Sequence, residues 1–203
     1  MLLHVIYIVA IVAESMSGAI MGMRAKMDVF GLCVIGVVTA LGGGTVRDAV
    51  LGHYPLTWVA HPQYLLFTIG GALFSVLIVR VLPWFNQAFL VVDAIGLVAF
   101  SIIGCNVANG LSLHPIIAVV AGMLTGICGG VLRDILCNEI PLVLRRDFYA
   151  CIALSTGGLY MILLGVGFGQ EFSTLTTLLF GFLFRMAAIQ YRWRLPTYSG
   201  QGH

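Results

Sequence analysis

A short motif of glycine, arginine and aspartate occurs twice in the chain, each time inside a long apolar segment. The first copy spans residues 42–48 (GGGTVRD) and the second spans residues 128–134 (CGGVLRD), so that Arg47 and Arg133 are 86 positions apart. Glycine costs a helix about 1 kcal/mol per residue relative to alanine. Charged side chains in apolar surroundings are costly unless they are paired or hydrated. A chain with both features at one spacing is expected to contain two related halves, with its functional site at the two motifs.

The composition places the chain in a membrane. It has 203 residues, of which 60% are hydrophobic and 9% are charged, whereas soluble domains carry about 25% charged residues. The sequence therefore predicts a polytopic membrane protein. Its net charge of +2 comes from basic residues scattered between apolar segments, so no nucleic-acid partner is expected. It contains no CxxC pair, nucleophile elbow, phosphate loop or HExxH motif, so we expect no zinc site, disulfide framework or enzyme activity.

Seven apolar segments follow one another with short connections. Each is close to the ~20 residues that an α-helix needs to cross ~30 Å of hydrocarbon. We predict an all-α fold with seven transmembrane helices in a single transmembrane domain over residues 1–203. The segments are approximately 3–22, 28–51, 63–82, 86–109, 115–137, 148–168 and 172–190.

The similarity between the two motifs extends along both halves of the chain. At the same offset of 86, Gly36, Thr39 and Pro55 correspond to Gly122, Thr125 and Pro141, and at 87 the glycines at 70–71 correspond to those at 157–158. Each half holds three segments, and because three is odd the second half enters the membrane upside down. We predict an inverted repeat, an architecture typical of transporters and channels. Repeat one covers about 3–85, repeat two about 86–168, and a seventh helix about 172–190.

The basic residues predict the orientation of the chain. With the N-terminus outside and the C-terminus in the cytoplasm, the lysines and arginines outside the two motifs all lie on the cytoplasmic side, as the positive-inside rule requires. They are Arg24, Lys26, Arg80, Arg145, Arg146, Arg185, Arg192 and Arg194. Trp58 and Trp84 fall near predicted interfaces, where aromatic belt residues are common.

The glycine runs have two interpretations. Gly42, Gly43 and Gly44 can kink or loosen the helix and free backbone carbonyls that interact with ions, or they can let neighbouring helices pack closely. Because both runs lie at equivalent places in segments two and five, the sequence favours a functional break. Thr39 and Thr125 lie near the runs on equivalent turns, where hydroxyls either replace ion hydration or bond back to their own helix.

The partners of the two motif arginines, Arg47 and Arg133, can also be predicted in more than one way. Adjacent residues point to different sides of a helix. Our hypothesis is therefore that Arg47 reaches Asp134 and Arg133 reaches Asp48 across the repeat axis, or that each arginine meets carbonyls of the other motif. The alternative is that both arginines extend from span ends to opposite membrane interfaces.

Two more acids fall in or beside apolar segments. Glu14 is a lone carboxylate inside segment one, and such a group is by default a functional candidate. It can attract a cation or carry a proton, or it can sit neutral and hydrogen-bonded in a helix contact. Asp93 is interpreted as a charge near a helix N-terminus at the membrane interface rather than as a ligand. The histidines at 4, 53, 61 and 114 lack the spacing of a metal site and are interpreted as interface residues.

The complete motif resembles a known family. Gly-Gly-x-x-Arg-Asp is followed each time by a proline seven residues after the aspartate, at Pro55 and Pro141, and the first copy continues as GHYPLTW over residues 52–58. This pattern is similar to that of a bacterial inner-membrane family often labelled glycine-transporter-like. Its members look like prokaryotic relatives of the trimeric intracellular cation (TRIC) channels, and the resemblance covers about residues 3–190.

The resemblance implies a homotrimer with one pore in each protomer, lined by kinked second and fifth helices. It implies passive conduction of monovalent cations, chiefly potassium, with no cofactor, no metal beyond the transient cation, and membrane lipids as neighbours. A glycine or small-metabolite secondary transporter remains the alternative, because channels and secondary transporters can share the same helical architecture. Together with Glu14, Thr39 and Thr125, the candidate residues of the ion path are Gly42, Gly43, Gly44, Arg47, Asp48, Cys128, Gly129, Gly130, Arg133 and Asp134. Cys128 replaces the first glycine of the run, so the two halves are not equal.

Overall fold

The computed structural model describes residues 1–79, 85–145, 148–191 and 193. Within these residues every regular element is an α-helix, which confirms the predicted all-α class. The helices are α1 (Leu2–Arg24), α2 (Val29–Leu51), α3 (Thr57–Ala60), α4 (Gln63–Val79), α5 (Phe85–Gly110), α6 (Pro115–Leu136), α7 (Leu142–Arg145), α8 (Tyr149–Val166) and α9 (Gln170–Gln190). Five residues used in the sequence predictions lie outside the described ranges, namely Arg80, Trp84, Arg146, Arg192 and Arg194.

Each predicted apolar segment is mainly helical over its described residues, with helix ends that differ from the predicted ones by a few residues where they are described. Among the described residues, α1, α2, α6, α8, α9 and residues 89–110 of α5 are long and apolar enough to cross a membrane, and α4 is a shorter apolar helix. Local chemistry sets several ends. The Asp28 carboxylate accepts the Gly31 N–H at 2.7 Å at the start of α2, and Gly52 ends that helix with a left-handed φ of 66°. Pro115 opens α6, where its missing N–H costs nothing.

The helices pack as two similar groups that meet through two helix pairs, α2 with α6 and α1 with α5. In one group α1 packs against α2 and α4, and in the other α5 packs against α6 and α8, while α9 lies on α5 and α8. Matching glycines allow the close contacts within each group. A methyl group at Gly18 would overlap the hydroxyl of Thr39, and one at Gly104 would overlap the hydroxyl of Thr125. These two contacts are related by the 86-residue offset of the motifs.

The glycine pairs of α4 and α8 correct one detail of the predicted alignment. A methyl group at Gly71 would overlap Ser15 of α1, and one at Gly157 would meet Cys105 of α5. Gly70 and Gly158 have no such neighbour within 4 Å. The packed glycines are therefore Gly71 and Gly157, which are 86 residues apart, and the predicted offset of 87 is wrong at this point.

Two short helices, α3 and α7, were not predicted. Four residues are too few for the apolar periodicity that identifies a helix in sequence. Each follows the proline of its motif, and α3 and α7 each pack against the long helix that carries that motif. Their N-termini complete the charged clusters described next.

Candidate functional site

The two glycine runs meet where α2 crosses α6. A methyl group at Gly43 would overlap the carbonyl oxygen of Thr125, and one at Gly129 would overlap the carbonyl oxygen of Thr39. Both helices continue through their glycines, from Val29 to Leu51 and from Pro115 to Leu136. Neither run therefore contains a loosened turn, and the close helix contact of the second interpretation is present. Without a Cβ the two backbones approach directly, and this contact outweighs the low helix propensity of glycine.

The other residues of the two glycine runs have more space around them than Gly43 and Gly129 have. A methyl group at Gly42 would meet only the side chain of Leu132, and one at Gly44 would come no nearer than 3.7 Å to Arg47. Cys128, which replaces the first glycine in α6, is a partly buried free thiol. The crossing therefore depends chiefly on one glycine from each helix.

The threonines beside the crossing satisfy their hydroxyls within their own helices. Thr39 donates to the Ile35 carbonyl and Thr125 donates to the Ala121 carbonyl, each at 2.6 Å. Of the two predicted alternatives, the structure therefore shows the bond back to the helix. Both carbonyls that face the opposite glycine belong to these same threonines.

The first motif forms a buried cluster at the end of α2. The Arg47 guanidinium donates to Asp48 Oδ1 from Nε at 2.9 Å and from Nη2 at 2.7 Å. Nη2 also donates to the Thr57 hydroxyl at 2.9 Å. Asp48 Oδ2 accepts the Thr57 N–H at 2.8 Å at the start of α3. The half-exposed ring of His53 lies 3.0 Å from Asp48 Oδ1, which makes this end of the cluster accessible from the surface.

The second motif forms a corresponding cluster at the end of α6. Arg133 Nε donates to Asp134 Oδ1 at 2.8 Å, and Asp134 Oδ2 accepts the Leu142 N–H of α7 at 2.8 Å. Arg133 Nη1 extends further, to Asp93 Oδ1 of α5 at 2.8 Å and to the Ser17 hydroxyl of α1 at 2.5 Å. The aspartate of each motif therefore anchors the short helix that follows it, and the arginine holds the aspartate.

These contacts overturn the predicted cross-pairs. Arg47 does not pair with Asp134, and Arg133 does not pair with Asp48, because each arginine binds the aspartate next to it. The long arginine side chain curls onto its neighbour, whose carboxylate is fixed by the N-terminus of α3 or α7. Extension to the interfaces is also wrong, since both arginines are almost fully buried.

Sequence reasoning missed much of the second cluster. Asp93 was interpreted as an interface charge, but it is fully buried between Arg133 at 2.8 Å and Arg185 at 3.7 Å. The Arg185 guanidinium also stacks on the Tyr149 ring, 4.5 Å from its centroid, and the Tyr149 hydroxyl donates to Asp93 at 3.3 Å. The available signal was Arg185 itself, a charge one turn inside an apolar segment, which needs a partner of opposite sign.

Glu14 lies beside this cluster without joining its hydrogen bonds. Its carboxylate is buried against Gly96 of α5, where a methyl group would overlap it. Neither carboxylate oxygen has a hydrogen-bond partner among the described residues. Of the predicted alternatives, the helix contact is present and the hydrogen bond is not. An ionised carboxylate in this position would be strongly unfavourable without a bound cation.

The two buried acids should respond differently to neutral isosteres. Glu14→Gln removes no hydrogen bond or ion pair, so we expect the melting temperature of the purified protein to stay within about 2 °C of wild type. Asp93→Asn leaves two buried arginines undercompensated and should lower the melting temperature by about 6 °C or more. Thermal unfolding in one detergent, followed by intrinsic fluorescence, compares them. A larger loss for Glu14→Gln than for Asp93→Asn would contradict the assigned contacts.

Arg47 and Arg133 each have one buried guanidinium nitrogen that makes no hydrogen bond within the described residues. Arg47 Nη1 and Arg133 Nη2 are buried without a hydrogen-bond partner among the described residues. A pocket of about 150 Å³ lies beside Arg47, with otherwise apolar walls contributed by Val50, Leu51, Ile117, Val120, Ala121 and Leu124. The free N–H groups of these two arginines can bind a small solute that accepts hydrogen bonds.

Long apolar helices with buried ion pairs between them define a polytopic helical membrane protein, and comparison with known proteins gives its family. The chain matches the family described as Glycine transporter over residues 4–80 and 90–164. It is 36% identical to the inner membrane protein YadS of Escherichia coli (strain K12) over 202 residues, covering 98% of this chain and 97% of YadS. It is also 36% identical to the membrane protein YvgT of Bacillus subtilis (strain 168), covering 95% of this chain and 94% of YvgT.

Solved structures agree with this similarity. The TRIC trimeric intracellular cation channel orthologue from Rhodobacter sphaeroides matches with a TM-score of 0.90 and 32% identity, over 95% of this chain and 99% of that chain. A structure from work on conductance through TRIC cation channels matches with a TM-score of 0.88 and 32% identity, over 98% of each chain. The chain belongs to the TRIC family, which confirms the resemblance seen in the motifs.

Proposed function

We propose that the protein is a channel for monovalent cations, chiefly potassium, with one pathway inside each protomer. The observation that carries this proposal is the alignment of two buried charged clusters with the α2–α6 crossing between them. It is supported by the 32% identity, over 98% of the chain, to a structure from work on conductance through TRIC cation channels. On this proposal the chain catalyses no reaction.

The proposed pathway runs past Arg47 and Asp48, through the crossing, and past Arg133 and Asp134. The residues at the crossing are Thr39, Gly42, Gly43, Gly44, Thr125, Cys128, Gly129 and Gly130. At the Arg133 end Asp93 and Asp134 balance Arg133 and Arg185, and a cation that reaches Glu14 would favour the ionised form of this third acid. A third acid that ionises when a cation is beside it favours cations over anions.

We further propose the seven-span inverted repeat that the sequence predicts, in one domain. The 86-residue offset recurs in the contacts of Gly18 with Thr39 and Gly104 with Thr125. The two stretches that match the Glycine transporter family also begin 86 residues apart, at residues 4 and 90. In this arrangement repeat one covers about 3–85, repeat two about 86–168 and the seventh helix about 172–190.

Assembly and location follow from the relatives. We propose a homotrimer in the bacterial inner membrane, surrounded by lipids, with the N-terminus outside and the C-terminus in the cytoplasm. The R. sphaeroides orthologue is described as trimeric, and YadS is described as an inner membrane protein. The orientation rests on the basic residues, since Arg24, Lys26 and Arg145 belong to the Arg133 end of the protein.

A secondary transporter for glycine or another small metabolite is the second candidate. It is supported by the description of the family as Glycine transporter. It is also supported by the pocket beside Arg47, because a guanidinium group binds carboxylates well. Each cluster offers an arginine for a carboxylate and an aspartate for an amine.

Current measurements distinguish the two candidates. We expect the purified protein in a planar bilayer, with asymmetric potassium chloride, to give discrete unitary currents. Their reversal potential should lie near the potassium equilibrium value, because Glu14 adds a third acid beside Asp93 and Asp134 when a cation is present. Bilayers with the same detergent and lipid but no protein provide the control.

Silence in the bilayer combined with saturable uptake of labelled glycine into liposomes would reject the channel. A reversal potential near the chloride equilibrium value would reject cation selectivity while leaving a channel. The Asp48→Asn variant, if it assembles, tests whether the current passes the first cluster.

A further inference from the structure

An apolar layer covers the charged cluster at the Arg133 end. It consists of Ile20, Met21, Ile35, Phe89 and Cys137, which come from four parts of the chain and form one buried cluster. Met23, Met27, Leu90, Val92 and Leu142 pack against this cluster. The layer contains the helix ends nearest to Arg133, including the end of α1 and the residue that follows α6.

Phe89 is the one residue of this layer that also contacts the charged groups through its ring. The Arg133 guanidinium carbon lies 4.8 Å from the centroid of the Phe89 ring, and the Arg24 guanidinium carbon lies 4.9 Å from the same centroid. Arg133 is fully buried, whereas Arg24 ends α1 next to the loop. The ring therefore contacts both the buried cluster and the helix end that faces solution.

A smaller layer lies at the Arg47 end, where Leu51, Leu113 and Ala121 pack together at the positions equivalent to Cys137, Met27 and Ile35. At the 86-residue offset, Leu3 stands where Phe89 is and Asn106 stands where Ile20 is. Leu51 and Ala121, which correspond to Cys137 and Ile35, line the pocket of about 150 Å³ beside Arg47. Among the described residues, the layer at the Arg47 end thus has a pocket beside its arginine and no aromatic ring, whereas the layer at the Arg133 end contains Phe89.

We propose that Phe89 is the barrier residue of the pathway, closing it at the Arg133 end. This proposal rests on the proposed cation pathway past Arg133. A ring of apolar side chains blocks ions because water leaves a narrow apolar constriction, and an ion cannot follow without its hydration. The contacts with two guanidinium groups hold the ring in the closed position, since a desolvated cation–π contact is a substantial interaction. Opening requires the ring to leave both arginines.

Single-channel recording tests the barrier directly. Phe89→Ala should raise the open probability by about tenfold, the effect of losing one buried cation–π contact, without moving the reversal potential. The matched control is Phe100→Ala, which removes an equally buried ring from the same helix. Phe100 packs in a different cluster, beside Tyr7. An unchanged open probability in Phe89→Ala, or an equal increase in Phe100→Ala, would overturn the proposal.

A chemical measurement separates the barrier from the channel itself. Cys137 is a free, buried thiol within the layer, and Cys105 is a free, buried thiol in another cluster. A small cationic methanethiosulfonate reagent applied to proteoliposomes should modify Cys137 about tenfold faster in Phe89→Ala than in wild type. Cys105 should remain unmodified in both, as shown by peptide mass spectrometry.

The two measurements give distinguishable failures. If no variant conducts but Cys137 becomes reactive in Phe89→Ala, the channel proposal fails and the barrier stands. If currents are present and neither open probability nor Cys137 reactivity changes, the barrier proposal fails and the channel stands. Should Phe89→Ala not fold, Phe89→Leu keeps apolar volume without a ring. A wild-type open probability in Phe89→Leu would then overturn the role of the ring.

Discussion

Replacing Arg133 by leucine should lower the melting temperature by about 10 °C. The substitution leaves Asp93 and Asp134 buried without the guanidinium that now lies 2.8 Å from each. Breaking a buried ion pair by removing one partner costs about 3–5 kcal/mol, and about 2–4 °C follows from each kcal/mol in a chain of this size. Thermal unfolding in detergent, with gel filtration to follow assembly, measures the loss.

Arg145→Gln is the matched control, because Arg145 pairs with Glu139 at the same distance of 2.8 Å while both side chains are exposed. Surface pairs contribute about 0–1 kcal/mol, so its melting temperature should stay within about 2 °C of wild type. Adding Asp93→Asn to Arg133→Leu should recover part of the stability, since it removes one uncompensated charge. Equal losses for Arg133→Leu and Arg145→Gln would mean that the second cluster does not exist as described.

Gly43→Ala is expected to abolish the current and to lower the free energy of unfolding by about 1–3 kcal/mol. The added methyl group would overlap the carbonyl oxygen of Thr125, and a backbone atom cannot move aside as a flexible side chain can. The two helices must separate at the crossing, which shifts the clusters carried at the ends of α2 and α6. Unfolding measurements and bilayer recordings of the same preparation test both effects.

Gly44→Ala provides the comparison within the same glycine run. Its methyl group would meet nothing closer than Arg47 at 3.7 Å, and alanine favours a helix by about 1 kcal/mol over glycine. We therefore expect Gly44→Ala to be as stable as wild type or more stable, and to conduct. If Gly44→Ala were the more damaging of the two, flexibility of the glycine run rather than close contact would be the property that matters.

Both predictions concern residues that the sequence identifies as functional candidates. The reasons for which the sequence identifies them agree only partly with the structure. The motif at 42–48 and its copy at 128–134 were expected to break their helices, whereas both helices continue and touch at Gly43 and Gly129. A glycine inside a helix has two opposite uses, a break and a close contact. The identity of the residue does not say which applies, because the choice depends on whether another backbone is present.

The charged residues also show which properties the sequence predicts and which depend on the tertiary structure. The sequence places Arg47 and Arg133 in apolar surroundings, so it correctly requires partners for them. It does not identify those partners, since Asp93 lies 40 positions from Arg133 along the chain and Arg185 belongs to the last helix. The sequence argument paired each arginine with the other motif, because adjacent residues on a helix need not pair with each other. That argument failed because α3 and α7 hold the carboxylates within reach of a curled arginine.

The amino-acid sequence by itself determined the membrane class, the long helices and the family. These follow from composition, from apolar length and from motifs at one spacing, all of which are local or periodic properties of a chain. The tertiary structure decided which backbones touch, which ions pair, and that Phe89 lies against Arg133 at one end while a pocket lies beside Arg47 at the other. Such contacts join residues far apart in sequence, so they are fixed only when the helices pack and close-range sterics and charge select one arrangement.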